Sequence, residues 1–335
     1  MRKELGMAIA LAVMCVLIAL SNQNFYGSMN IFNTTRQIAM LGIYAIGVSF
    51  VIATGGIDLS IGSVITLSAV VLAKVSAPGM GWEQPIWVGV LAAMGVSLLI
   101  GLFQGALVTW LGVQPFIVTL TGMLLFRGLA HVLAGGGTLS FGDSPFKNLA
   151  KGSLPLGFTS IPYLVLIFLI VAAIASYVLH FTVFGRHVYA IGGNRDAARY
   201  SGVPVKKIEL ETYVISAGLA GLSGIVMAAY SPTIDQGLGT GAELNAIAAA
   251  VLGGISLRGG EGTVPGIIIG SAVIQVIANG FNMFKIRYTA PDGSPKEWHM
   301  EDYWREVVTG AVILGAVILD QVTHILQERK KTKGK

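Results

Sequence analysis

Charge is what this sequence has least of. Only 12% of its 335 residues are Asp, Glu, Lys or Arg, about half the share of an ordinary soluble domain. A soluble globule so poor in charge could not clothe its surface, which excludes a soluble enzyme. With 54% hydrophobic residues, an intrinsically disordered chain is excluded too. Cysteine is nearly absent. Cys15 stands alone, so neither an internal disulfide nor a multi-cysteine zinc site can form. The signatures of chemistry are also missing. No G-x-x-x-x-G-K-[ST] cradles nucleotide phosphates, and neither H-E-x-x-H nor G-x-S-x-G occurs. Gly237-Leu238-Gly239-Thr240-Gly241 lacks the third glycine of a dinucleotide loop. The five histidines are scattered. The sequence therefore implies no cofactor, no metal and no enzymatic engine. It leaves a passive pore, an ion-coupled carrier, or one subunit of a powered complex.

What is abundant is apolar. The mean hydropathy is +0.73, and 44 glycines punctuate the chain. The expected fold class is all-α, a single polytopic membrane domain over residues 1–335. A span needs about 17 to 25 mostly apolar residues, and ten segments qualify or nearly so. They run Leu5–Leu20, Ile38–Thr54, Ile61–Ala77, Ile86–Trp110, Phe116–Leu133, Ile161–Thr182, Ile208–Tyr230, Leu244–Leu257, Val264–Phe284 and Val307–Thr323. The eighth is short, which predicts a broken or re-entrant segment. With ten crossings and the N-terminus in the cytoplasm, 13 of the 22 basic residues fall on inner segments and seven on outer ones. That excess is the one the positive-inside rule requires, so both termini are expected in the cytoplasm. It also explains a net charge of +5 without any nucleic acid.

Two places break the helical pattern. Thr54-Gly55-Gly56-Ile57-Asp58-Leu59-Ser60 ends the second span, and adjacent glycines weaken a helix by roughly 1 kcal/mol each. Backbone freed inside a membrane must be buried in protein or line a wet cavity, and a carboxylate such as Asp58 there needs hydration or partners. The same text returns 198 residues later as Leu252-Gly253-Gly254-Ile255-Ser256-Leu257. Paired, glycine-broken segments in two halves suggest internal repeats. Glycines three or four apart (Gly101 and Gly105; Gly218, Gly221 and Gly224; Gly262, Gly266 and Gly270) predict close helix contacts instead.

The longest basic inner loop, about residues 184–207, carries start and stop signals for one short helix. Asn194 is an N-cap, Asp196 suits the first turn, Gly202 stops the helix, and Pro204 can open the next one. A helix over Arg195–Ser201 would present Ala197, Ala198 and Tyr200 between Arg195 and Arg199. Such a helix fits a groove on a partner, although an ordinary solvated loop that only sets topology would read the same way.

Several ordered motifs together resemble the permease subunits of bacterial ATP-binding-cassette (ABC) sugar importers of the ribose/xylose/galactoside type. They are Gly55-Gly56-Ile57-Asp58-Leu59-Ser60-Ile61-Gly62, Gln114-Pro115-Phe116-Ile117-Val118-Thr119-Leu120 with Arg127-Gly128, and Phe184-Gly185-Arg186 with Ala190-Ile191-Gly192-Gly193-Asn194. Further on come Glu243-Leu244-Asn245-Ala246-Ile247-Ala248-Ala249 and Gly259-Gly260-Glu261-Gly262-Thr263. Asn245 stands where many members carry Asp, so no charge is assigned there. The resemblance implies a bacterial inner-membrane permease that pairs with a second copy or a paralogue. Its other partners would be cytoplasmic ABC ATPases and a periplasmic or lipid-anchored solute-binding protein. The helix over Asn194–Gly202, with Arg195, Asp196, Ala197, Ala198, Arg199 and Tyr200, would couple it to the ATPases. A neutral sugar needs hydrogen-bonding groups and few fixed charges along its path. The expected pathway or gate residues are therefore Thr54, Asp58 and Ser60 at one break, and Asn245 and Ser256 at the other. Glu243 and Arg127 are expected to brace structure, and Asp58 has a second reading as a cap for the helix near Ser60. The alternative function is an ion-coupled secondary carrier, for which only Asp58 and Glu243 offer an embedded acid.

Overall fold

The computed structural model describes residues 2–142, 144–156, 159–231, 233–235 and 237–283. It also describes the paired backbone of 285–289 and 295–299, and isolated helical positions between 304 and 318. Helix α1 (Arg2–Ser21) is apolar all round and lies on the outside of the bundle. A short turn over Gln23–Tyr26 leads into α2 (Ser28–Ala53), whose 26 residues span about 39 Å. Most of α2 is buried. After the first break, α3 (Ile61–Ser76) has 16 residues, about 24 Å, which is less than the hydrocarbon thickness. It needs no longer reach because α4 (Ile86–Thr109), α5 (Pro115–Ala134) and α10 enclose it, where α10 covers Val205–Tyr230.

Beyond α5 the chain forms a one-turn helix α6 (Asn148–Lys151) and a hairpin of β1 (Ser153–Leu156) and β2 (Thr159–Pro162), paired Ser153 to Pro162. The spanning helix α7 (Tyr163–Phe181) follows. The expected inner loop is largely helical: α8 (Val183–Gly193) and α9 (Arg195–Tyr200) precede α10. The sequence reading had only α9 there. Then come α11 (Ala242–Leu252), α12 (Val264–Met283), and a second hairpin of β3 (Lys285–Thr289) and β4 (Pro295–His299). Among the described residues, seven helices are long and apolar enough to cross a membrane, with α3 and α11 as shorter apolar helices. Nine of the ten expected spans thus have a helix, and most of the tenth lies outside the described residues.

The expected close helix contacts have definite partners. A Cβ on Gly101 would sit 2.7 Å from Val214 Cα, one on Gly224 2.4 Å from the Ile65 carbonyl oxygen, and one on Gly270 2.0 Å from that of Ala249. These bring α4 onto α10, α10 onto α3, and α12 onto α11.

The connections sort to two ends of the bundle. At one end the Gly260 amide donates to the Ala53 carbonyl (2.9 Å), and the Tyr189 hydroxyl to that of Gly262 (2.8 Å). At the other, Leu139 pairs with Ile234, and Arg36 donates to the Lys151 carbonyl. This grouping matches the alternation of loops expected from the sequence.

Candidate functional site: two helix breaks and the joint between them

The first break closes α2 with two backbone bonds, Gly55 N–H to Ile52 O (2.8 Å) and Gly56 N–H to Val51 O (3.0 Å). Gly55 takes φ of +82°, the left-handed conformation that glycine adopts without Cβ strain. The chain then turns into the protein. Asp58 is 1% exposed, and its carboxylate is fully engaged. Oδ1 accepts from the Ser60 amide (2.9 Å) and hydroxyl (2.7 Å), and Oδ2 from the Ser216 hydroxyl on α10 (2.8 Å). Ser60 Oγ also lies 3.1 Å from Gln104 Oε1 on α4, and Thr119 on α5 reaches the Ile57 carbonyl (3.4 Å). Asp58 therefore caps the entry to α3 and ties it to α10. Thr54 spends its own hydroxyl on Val51 O (2.8 Å).

The second break ends α11 in the same way, with Gly254 N–H to Val251 O (2.8 Å) and Ile255 N–H to Ala250 O (3.0 Å), and φ of +83° at Gly254. The shared geometry places Gly55 on Gly254, one residue out of step with the text echo, which had paired Gly55 with Gly253. Asp58 then faces Leu257 in the comparison, not Ser256. Ser256 Oγ accepts from the Arg258 amide (3.3 Å) and organises a turn. Asn245 lies half-buried in the first turn of α11, its amide bonded to Gly241 O (3.1 Å). Of the five expected pathway residues, the structure directly joins Asp58 and Ser60, sets Thr54 at the same break, and leaves Asn245 and Ser256 apart from them among the described residues.

Backbone packing joins the two breaks. Ala53, the last residue of α2, offers its carbonyl to Gly260 in the loop after α11. Gly192 at the end of α8 fills the remaining space: a Cβ there would lie 2.0 Å from Ala53 O and 2.2 Å from Gly260 N. Real Cβ atoms do not approach that closely, so only glycine fits. The Tyr189 bond to Gly262 is a second tie from α8, and Phe184 packs on Phe50 of α2 with ring centroids 6.3 Å apart. These contacts link α8 to both breaks.

Helix α9 starts as its sequence signals predict, with the Ala197 amide donating to Asn194 Oδ1 (2.9 Å), and Gly202 (φ +85°) lies just past its end. Its display differs from expectation. Ala198 is buried and packs inward, leaving Ala197, Arg199 and Tyr200 exposed, with Tyr200 89% accessible. The periodicity of so short a helix could not say which side meets the bundle. Arg195 donates through Nε and Nη2 to the two oxygens of Glu209 (2.7 and 3.0 Å), which holds its guanidinium above the usual arginine range. Beside this pair opens a cavity of about 330 Å³ lined by Thr54, Gly56, Gln114, Arg195, Glu209 and Tyr213. It lies between α9, the first break and the α4–α5 connection.

The sequence reading gave no pathway role to one polar group. The chain preceding α11 runs down against α3: Thr66 donates to the Leu238 carbonyl, and a Cβ on Gly62 would lie 2.2 Å from Gly239 O. Arg127 on α5 donates to Thr240 Oγ1 (2.6 Å) and, more weakly, to Ser63 Oγ (3.4 Å). Among the described residues, Glu243 Oε2 is buried without a hydrogen-bond partner. An arginine inside an apolar span was the signal that could have found this group.

Residues 30–317 match the family described as the permease component of branched-chain amino acid transport systems. The chain belongs to that family. Among its relatives, the permease is 37% identical over 315 residues to the ribose import permease protein RbsC of Escherichia coli K12, covering 93% of this chain and 92% of that one. It is 34% identical over 321 residues to RbsC of Bacillus subtilis 168 (95% and 93%). With the D-allose transport system permease protein AlsC of Escherichia coli K12 it shares 32% over 310 residues (92% and 89%). No solved structure matches the chain. The comparisons support a multi-pass permease of the ABC sugar importer class, with apolar helices long enough to span a membrane.

Proposed function

We propose that this permease is the translocating subunit of an importer that carries a small neutral sugar into the cytoplasm by alternating access, driven by ATPases that dock on α9. A solute-binding protein would deliver sugar at the opposite end, and a second permease copy or a paralogue would complete the passage. Both termini lie in the cytoplasm in this reading. The relatives named as ribose, allose and galactose/methyl galactoside permeases support the substrate class.

The observation that carries the mechanism is the joint at Ala53, Gly192 and Gly260. Closure of the ATPases would displace α9. The paired Arg195 and Glu209 would pass that displacement to α10, while α8 would pass it through the glycine contact to both breaks at once. Packed backbones have discrete arrangements, so a small push at one end produces a switch rather than a gradual bend. In this reading Asp58 is a strut holding the start of α3, and Thr54, Ser60, Asn245 and Ser256 act at or beside the moving segments. The test is co-purification with the neighbouring gene products, followed by ATP hydrolysis and uptake in proteoliposomes. Sugar-loaded binding protein should stimulate both. Uphill accumulation by the permease alone on a proton or sodium gradient would overturn the reading.

A further inference from the structure

We infer that Arg127, presented at the re-entrant turn before α11, is a solute-contacting residue that donates hydrogen bonds to sugar hydroxyls in transit; this deepens the permease reading and rests on it. Arg127 is the thirteenth of the twenty residues of α5, well inside the span. The neighbouring surface of α5 is apolar, with Leu124, Leu125 and Leu129 exposed. A guanidinium facing hydrocarbon at such a level costs about 2.5–3.5 kcal/mol by insertion scales, a cost avoided when Arg127 turns from these leucines toward the polar turn at Thr240 and the passage of the proposed mechanism. Among the described residues the partners of Arg127 are two neutral hydroxyls, Thr240 Oγ1 (2.6 Å) and Ser63 Oγ (3.4 Å), and no carboxylate pairs with it. Glu243, the acid next to the same turn, buries Oε2 without a partner among the described residues.

Guanidinium has five N–H donors in a fixed fork, and two are used here. The rest, on a half-exposed side chain beside the exposed Thr240, have no partner among the described residues and can meet a ligand rich in acceptor oxygens and without charge. A neutral polyol suits such a site. Single hydrogen bonds to it hold the solute long enough to orient it and release it without separating an ion pair. A carboxylate solute would be trapped more strongly.

The test uses the full complex in proteoliposomes, with its ATPase and binding protein, and D-ribose, D-allose and methyl galactoside as probes. Arg127→Gln should lower uptake kcat/KM roughly 10–100-fold, the loss of a charge-assisted hydrogen bond. ATP hydrolysis stimulated by loaded binding protein should stay within about twofold, because docking lies elsewhere. Thr240→Val removes the same internal tie while leaving the cation, and should keep uptake within about threefold. Equal losses in the two variants would mean that the pair is a brace and would overturn the inference, as would wild-type uptake by Arg127→Gln. Should that variant fail to assemble, Arg127→Lys decides. It keeps the charge and loses the fork, so an intermediate loss supports the contact and wild-type uptake refutes it. A wild-type complex carrying none of the three sugars on ATP would overturn the sugar-importer reading itself, and the inference with it, an outcome distinguishable from a defect confined to the variants.

Discussion

The two breaks use one helix-ending geometry and are held by opposite means. After α2, a buried carboxylate gathers three donors and fastens α3 to α10. After α11, the chain is held by glycines packed against backbone: a Cβ on Gly253 would lie 2.6 Å from Gly266 O, and one on Gly266 2.0 Å from Gly253 O. The first break resists movement through directional bonds that are costly to leave unmade in a low-dielectric interior. The second resists through contact, and contact surfaces can slide between discrete positions. In the proposed mechanism this difference would make the first break the stiffer pivot and the second the more mobile surface, with the joint at Gly192 between them.

The strongest way to break this comparison is to fill the joint. Gly192→Ala overpacks a site with no space, a change of about 1–3 kcal/mol, or roughly 5–150-fold in an equilibrium. Sugar carried per ATP hydrolysed should fall by about that range. Gly193→Ala, one residue on, meets no atom within 4 Å and should transport normally; equal defects in both would dissolve the joint. Next in size is the pivot. Asp58→Ala leaves the Ser60 amide and the Ser216 hydroxyl without this acceptor and the Ser60 hydroxyl with only Gln104 Oε1, and should cost about 1–3 kcal/mol, read as a lower melting temperature in detergent. A stable variant that transports normally would remove Asp58 from the argument. The packed side follows: Gly266→Ala should destabilise by about 1–3 kcal/mol without Asp58-like loss at the first break, which hydrogen exchange at α3 would separate. Smallest is Ser256→Ala, which removes one 3.3 Å contact in an exposed turn and should change stability by less than about 0.5 kcal/mol. A large loss there would mean that the second break also depends on side-chain bonding.

Much of this arrangement was legible beforehand. Apolar runs located nine helices because hydropathy is a local property that a membrane reads directly. Asn194 and Gly202 marked the limits of α9 because capping needs only neighbouring residues. The rest was hidden for identifiable reasons. Helix α8 carries Gly185, Gly192 and Gly193, which read as loop, yet Gly185 and Gly192 lie where Cβ atoms would strike the Leu179 and Ala53 carbonyls. Ala198 was expected on the partner-facing side, because six residues give too little periodicity to choose a face. Arg127 and Thr240 are 113 residues apart, and no local pattern announces their meeting.

The sequence by itself determined the solvent this protein lives in, where its helices lie, and where two of them must stop, since scarcity of charge, apolar length and glycine pairs act within a few residues. Only the tertiary structure decided that Asp58 is bonded inward, that Gly192 is the residue on which two distant breaks meet, and that an arginine in a span stands beside neutral hydroxyls. Those outcomes depend on how closely remote backbones approach and on which buried donors find acceptors, and neither quantity exists until the helices have packed.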